Sequence, residues 1–255
     1  MSTFIIFLTV GAILYLLAMV YSTTIDSKSS MKFGKNILFV TAHPDDECMF
    51  FTPTIYALKE RSNLYLLVLS NGGYDGLGKV REKEMEKAAK QMGFKDYLII
   101  DSAAIPDGPQ PWNVEPVVKE ILKHLKDRKD EGIEIKTIVT FDEHGVSAHP
   151  NHISTYHACK KVQEIKANEV IESKETQNEV IYDDIDLYTL ETVPLYRKYD
   201  AYLDIFMASS EKHVNFFLPT PYQAASALMI HHSQFVWYRK LFMAFSRYGY
   251  FNSLN

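Results

Sequence analysis

The residues best equipped for chemistry are seven consecutive ones, Thr41-Ala42-His43-Pro44-Asp45-Asp46-Glu47. One imidazole and three carboxylates follow directly on the apolar run Ile37-Leu38-Phe39-Val40. Neighbouring carboxylates raise each other's pKa unless a cation offsets them, and a divalent metal is the obvious cation. The competing role is helix capping, because Asp and Glu favour helix starts and Pro44 suits a first turn. Two features favour ligation. His43 and Asp46 can turn back toward one point across a tight turn, and a second cluster, His144-Gly145-Val146-Ser147-Ala148-His149-Pro150-Asn151-His152, follows another apolar run. Its His-Pro-x-His group brings two imidazoles close together at a helix start. Two His and one carboxylate with an open position form a catalytic zinc set, whereas structural zinc takes four protein ligands, usually including Cys. Cys48 and Cys159 are not spaced for that.

The elements that must carry these clusters alternate between strand and helix. Apolar runs predict strands at 36–41, 64–70, 97–100 and 135–141, with a further strand at 185–193. Helices are expected at 49–61, interrupted early by Pro53, at 79–92, closed by Gly93, at 114–129 and at 151–162. Such alternation indicates an α/β fold, a single Rossmann-like domain with a mostly parallel sheet flanked by helices. Both clusters then lie after strands, where open α/β sheets bind ligands. Residues 163–184 are polar and charged and read as a surface excursion, partly disordered.

A net charge of −5 and the lack of a long basic run argue against nucleic acid as a partner. Two cysteines are too few for a disulfide framework and suit a reducing compartment. The first acidic turn has no Gly-x-Gly-x-x-Gly, so a nucleotide-binding oxidoreductase is excluded. Phe4 to Tyr21 is an uncharged, overwhelmingly apolar run, near the minimum needed to cross a bilayer of roughly 30 Å. A cleaved signal peptide would want a positive start and a small-x-small site, and neither is present. Lys28, Lys32 and Lys35 lie downstream, so the positive-inside rule places the rest of the chain in the cytosol. The expected organisation is a transmembrane anchor at 1–22, a linker at 23–35 and a catalytic domain at 36–255.

The pairing of Ala-His-Pro-Asp-Asp-Glu with His-Pro-x-His resembles the zinc-dependent de-N-acetylases of the PIG-L (LmbE-like) family. The resemblance continues through Asp75-Gly76-Leu77-Gly78-Lys79-Val80-Arg81, the His-Gly-Val-Ser loop and the C-terminal Trp237-Tyr238-Arg239-Lys240-Leu241-Phe242. With the apolar N-terminus, it is similar to the eukaryotic branch that acts on N-acetylglucosaminyl-phosphatidylinositol in GPI-anchor synthesis at the endoplasmic reticulum membrane. It implies that His43, Asp46 and His152 bind zinc or another divalent metal. It further implies that Asp45 is the general base and that His149 steadies the oxyanion and helps the amine leave. Asn151 stands where bacterial members often carry Asp, which removes a charge beside His149 and His152. Glu47 is expected to make supporting or capping contacts.

Other assignments stay open at this level. Arg81 either belongs to a solvated helix face or pairs with the substrate phosphate, and Asn71 with Gly72 and Gly73 could shape the sugar pocket. The aromatic and basic tail is either a closing core helix or an interfacial helix resting on anionic headgroups. Two rival functions remain: de-N-acetylation of a soluble N-acetylglucosamine conjugate, and a catalytically silent membrane scaffold.

Overall fold

Strands β1 (Asn36–Thr41), β2 (Asn63–Val68), β3 (Asp96–Ile99), β4 (Thr137–Phe141) and β5 (Asp186–Leu190) form the parallel part of one seven-stranded sheet. The computed structural model describes residues 3–26, 33–165, 185–208 and 213–255. The strand order is β3-β2-β1-β4-β5-β7-β6. The last two strands, β6 (Val214–Phe217) and β7 (Phe251–Leu254), run antiparallel along one edge. Five consecutive buried residues in each of β1, β2 and β4 reflect a sheet covered on both faces, as parallel pairing requires.

The helices are α1 (Thr3–Asp26), α2 (Asp46–Phe50), α3 (Thr52–Leu58), α4 (Gly78–Met92), α5 (Val114–Asp130), α6 (Gly145–Ala148), α7 (Pro150–Glu164), α8 (Leu195–Lys198), α9 (Tyr222–Ile230) and α10 (Trp237–Phe245). A 3₁₀ segment, Ala201–Met207, follows α8. α5 packs on α7, while α4 packs on α3 and α9. Right-handed crossovers explain this division, because the chain winds outward from β1 in one direction and then returns to continue from β4 in the other. The reversal falls between β1 and β4, and both histidine clusters leave the sheet there.

The expected helix over 49–61 is two helices. α2 begins at Asp46 and α3 resumes at Thr52, because Pro53 has no N–H to offer the carbonyl of Met49. α1 also runs four residues past the expected anchor boundary, through Asp26. The surface excursion expected over 163–184 lies outside the described residues from 166 onward, as does 27–32 of the linker. The Gly93 C-cap is as expected, with a left-handed φ of 91° and its N–H bonded to the carbonyls of Ala89 and Lys90. The aromatic and basic run at 237–242 lies within one helix, α10, whose only buried residue is Met243. α9 precedes it and β7 follows it, and β7 pairs with β6 from Val214↔Leu254 to Phe217↔Phe251.

Candidate active site

Asp46 lies at the centre of the site. It is the first residue of α2, and its Oδ2 accepts the backbone N–H groups of Ala42 (3.1 Å) and His43 (2.8 Å) at the end of β1. The same oxygen stands 3.6 Å from His43 Nδ1, and Oδ1 stands 3.2 Å from His152 Nε2. Donors bound to a tetrahedral ion at about 2.0–2.1 Å are themselves about 3.3–3.4 Å apart, close to both of these separations. Each imidazole uses its other nitrogen to fix its orientation. His152 Nδ1 meets the carbonyl of Gly145 at 3.0 Å, and His43 Nε2 meets Asn151 Oδ1 at 3.0 Å and Asp107 Oδ1 at 3.1 Å. The His152 ring also stacks on Phe141, with centroids 4.0 Å apart. His43, His149 and His152 each bring a ring nitrogen within 4.8 Å of the others, so the site can hold a metal ion.

The electrostatics follow the geometry. Burial alone would raise the Asp46 carboxyl, but His152 and then His43 hold it well below the ordinary carboxylate range. Burial opposes charge on His43, yet hydrogen bonds to Asp107 and Asp46 raise it to about 10. His149 behaves oppositely: burial, then the neighbouring His152 and His43, lower it to about 4. It caps α7, and its Nδ1 accepts the N–H of Asn151 at 3.2 Å. A neutral imidazole that accepts at Nδ1 carries its proton on Nε2, which leaves that N–H free to donate.

Asp45 points away from its neighbour. Its φ of 114° lies in the left-handed region and sends consecutive carboxylates in different directions. The turn is braced from below, where Glu47 Oε2 accepts the Asp45 N–H at 3.0 Å and Glu47 Oε1 meets His231 Nε2 at 2.7 Å, both side chains fully buried. Glu47 therefore caps the turn, and His231, 184 residues distant, anchors it. Asp45 Oδ2 is 2.5 Å from Arg239 Nη1 on α10 and 3.5 Å from Arg81 Nη2 on α4. Burial raises the Asp45 carboxyl, with Arg239 and Arg81 opposing the shift.

Arg81 is buried, so the solvated-face reading does not hold. Its guanidinium donates to the carbonyls of Gly72 (3.1 Å) and Pro44 (2.6 Å). Gly72, at φ 68°, makes room for it, since a Cβ there would fall 2.3 Å from the guanidinium. Asn71 donates to Glu82 Oε1 at 3.1 Å and crosses closely over Gly73 and Gly78. Three residues escaped sequence reasoning. Arg239 and His231 arrive from the tail, and Asp107 arrives from the proline-containing loop after β3, where its Oδ2 also accepts the Tyr74 N–H at 3.1 Å. The only prior signal was the basic residue inside the aromatic tail motif. Asp107 sets a carboxylate against His43 Nε2, next to the uncharged Asn151 amide. The Asn151 amide in turn donates to the Gln110 carbonyl at 2.8 Å, which a carboxylate could not do.

The loop carrying His149 is held in an unusual conformation. Gly145, Val146 and Ala148 all have positive φ, and Asp142 ties the turn to Thr192 through both carboxylate oxygens. At Gly145, φ is 61° and a Cβ would lie 2.8 Å from His152 Cβ. Gly145→Ala is therefore expected to cost about 1–3 kcal/mol and to displace His152. A fall in Tm together with reduced metal content would check this; an unchanged metal content would show that the loop relaxes without moving His152.

An open α/β sheet with histidines and carboxylates gathered at its switch point, three of the imidazoles close enough to hold an ion, defines an α/β protein with a candidate metal site. Residues 38–163 match the model of the family PIG-L, described as GlcNAc-PI de-N-acetylase. An N-acetylglucosaminyl-phosphatidylinositol de-N-acetylase of Bos taurus is 37% identical, covering 87% of this chain and 83% of its own length. A protein of Dictyostelium discoideum named as a probable enzyme of the same kind is 36% identical, covering 89% of this chain and 95% of its own. Among solved structures, N,N'-diacetylchitobiose deacetylase from Pyrococcus horikoshii superposes with a TM-score of 0.54 at 18% identity. It covers 79% of this chain and 71% of its own, and the likeness is one of fold. The chain belongs to the PIG-L family, a family of deacetylases.

Proposed function

We propose that this protein hydrolyses the N-acetyl group of N-acetylglucosaminyl-phosphatidylinositol, giving glucosaminyl-phosphatidylinositol and acetate, an early step of GPI-anchor synthesis. The observation that carries the reading is the division of labour between adjacent carboxylates: Asp46 faces two imidazoles and Asp45 faces two guanidiniums. His43 through Nδ1, His152 through Nε2 and Asp46 would hold the metal, which we assign as zinc. Bound there, it would lower the pKa of water to about 7 and polarise the acetamide carbonyl.

The chain supplies the rest. Both guanidinium contacts fall on Asp45 Oδ2, so Oδ1 is the oxygen that takes the proton from the attacking water. Arg239 and Arg81 position that carboxylate, and Arg81 also fixes the Pro44 carbonyl one residue before it. His149 donates its Nε2–H to the oxygen that gains charge as the carbonyl becomes tetrahedral. Asp45, once protonated, can return its proton to the departing amine. Arg81 has its donors directed into the protein, which favours positioning over contact with the substrate phosphate.

In this reading the apolar α1 anchors the protein as a single-pass membrane protein, the lysines after it support a cytosolic catalytic domain, and the endoplasmic reticulum is the compartment that the proposed reaction implies. Acetate release from N-acetylglucosaminyl-phosphatidylinositol by the purified protein tests the function. Chelation is expected to abolish release and zinc to restore it. Release only from a soluble N-acetylglucosamine conjugate would keep the chemistry and refute the lipid substrate; no release from either, in zinc-loaded protein, would leave the scaffold reading.

A further inference from the structure

Helix α1 is apolar all round and long enough to cross a membrane, with a mean hydropathy of 2.5 over its best window. Its C-terminal half is nonetheless attached to the domain. Gly11, Tyr15, Ala18 and Ser22 recur at helical spacing on one less exposed stripe, and Ala18 is fully buried. Tyr15 donates to the carbonyl of Pro219 at 3.2 Å, and the Tyr202 hydroxyl reaches the carbonyl of Gly11 at 3.4 Å. The Tyr15 ring meets Tyr202 edge-on at 5.4 Å, and Tyr21 stacks on Phe206 at 5.8 Å. From Gly11 to Ser22 the helix rises about 16 Å, and the free part, Thr3 to Val10, is only about 12 Å long. A hydrocarbon core is roughly 30 Å thick, so the free part alone cannot span it. A spanning α1 therefore brings the face that grips it, around Tyr202, Phe206 and Pro219, to the depth of the bilayer.

The surface beside that face is made for such an environment. The 3₁₀ segment packs on α8, where Leu195 and Tyr196 are 71% and 65% exposed, and Tyr199 just beyond α8 meets Phe242 of α10 at 6.3 Å. On α10, Trp237, Tyr238, Leu241 and Phe245 form one exposed apolar face at helical spacing. The helix has two cations and no acid, and Lys240 is exposed over the Phe235 ring, suited to anionic headgroups. Arg239 of the same helix reaches Asp45 at 2.5 Å.

We infer that α8 and α10 form a membrane-docking face continuous with α1, so that the active site opens at the bilayer surface and takes a phospholipid-linked sugar whose acyl chains stay in the membrane. The docking itself stands on geometry; the substrate clause rests on the de-N-acetylase reading. Trp237 and Trp112 are the only two tryptophans, the first 72% exposed on α10 and the second buried in the domain. The full chain is reconstituted in phosphatidylcholine vesicles with or without lipids brominated on the acyl chain near the headgroup. Strong quenching in the parent protein that disappears in Trp237→Phe is the expected result. Unquenched Trp237 in protein that co-floats with the vesicles would overturn the inference, because the domain would then stand clear of the bilayer. In a second arm, Leu241→Asp is expected to raise KM at least about tenfold for the diacyl substrate in vesicles, as expected from lost membrane partition, and to leave turnover of the deacylated headgroup unchanged. Equal losses on both would place α10 in the headgroup pocket and overturn docking as its role. Quenching with no turnover of either substrate would instead refute the proposed function and leave the docking face standing.

Discussion

Asp45→Asn is expected to reduce kcat for deacetylation by about 10²- to 10⁴-fold while the protein stays folded and keeps its metal. Asn is the informative replacement because Asp45 sits at φ 114°, a region that Asn tolerates far better than residues with bulkier or branched side chains. The backbone turn and its bond from the Asp45 N–H to Glu47 are retained, and only the charge and basicity of the carboxylate are lost. Arg239 keeps its bond to Gln234 Oε1 at 2.6 Å, whereas buried Arg81 loses a nearby counter-charge. A modest stability loss of about 1–3 kcal/mol should accompany the variant. Metal content is expected to be unchanged, because no distance in the Asp46, His43 and His152 set involves the Asp45 side chain. Acetate release measured beside metal analysis decides the matter. Near-parental turnover would remove Asp45 as the base, and loss of metal would make it part of site assembly.

Asp46→Asn is expected to fail differently, by losing the metal. The amide can still accept the Ala42 and His43 N–H groups that hold the carboxylate in place, so the end of β1 should survive. What disappears is the negative charge that lies 3.2 Å from His152 and 3.6 Å from His43. The variant should carry well below one ion per chain after gel filtration, with turnover reduced by about 10³-fold, equivalent to about 4 kcal/mol. Excess zinc should recover part of that loss, since the two imidazoles remain, whereas it should do nothing for Asp45→Asn. A fully metallated and active Asp46→Asn would mean that the ion is held by His43, His149 and His152, whose nitrogens also converge.

Adjacent carboxylates beside a histidine are a local pattern, which is why these candidate residues could be picked out from the sequence. His43, Asp45 and Asp46 are four residues from end to end, and His149 and His152 share one helix start. Continuous apolar runs likewise identified β1, β2 and β4 as buried parallel strands, because a strand covered on both faces shows no alternation. The antiparallel edge was not legible: β6 and β7 have four residues each, too few to establish a period.

The sequence by itself determined the candidate groups: two clusters of histidine and carboxylate side chains, each after an apolar strand, behind an apolar N-terminal helix. Tertiary structure decided how those groups are held. Whether Arg81 faces water or Asp45 depends on Gly72 leaving room for its guanidinium, 9 residues away in the chain. Glu47 finds His231, and Asp45 finds Arg239, across 184 and 194 residues. Such pairs have no spacing rule, because they form only after the tail folds back over the end of β1, where burying a carboxylate demands a partner. The attachment of α1 to the domain is of the same kind. Composition indicates that α1 is long and apolar enough to cross a membrane, and only its packing on Tyr202 and Phe206 ties it to one face of the domain.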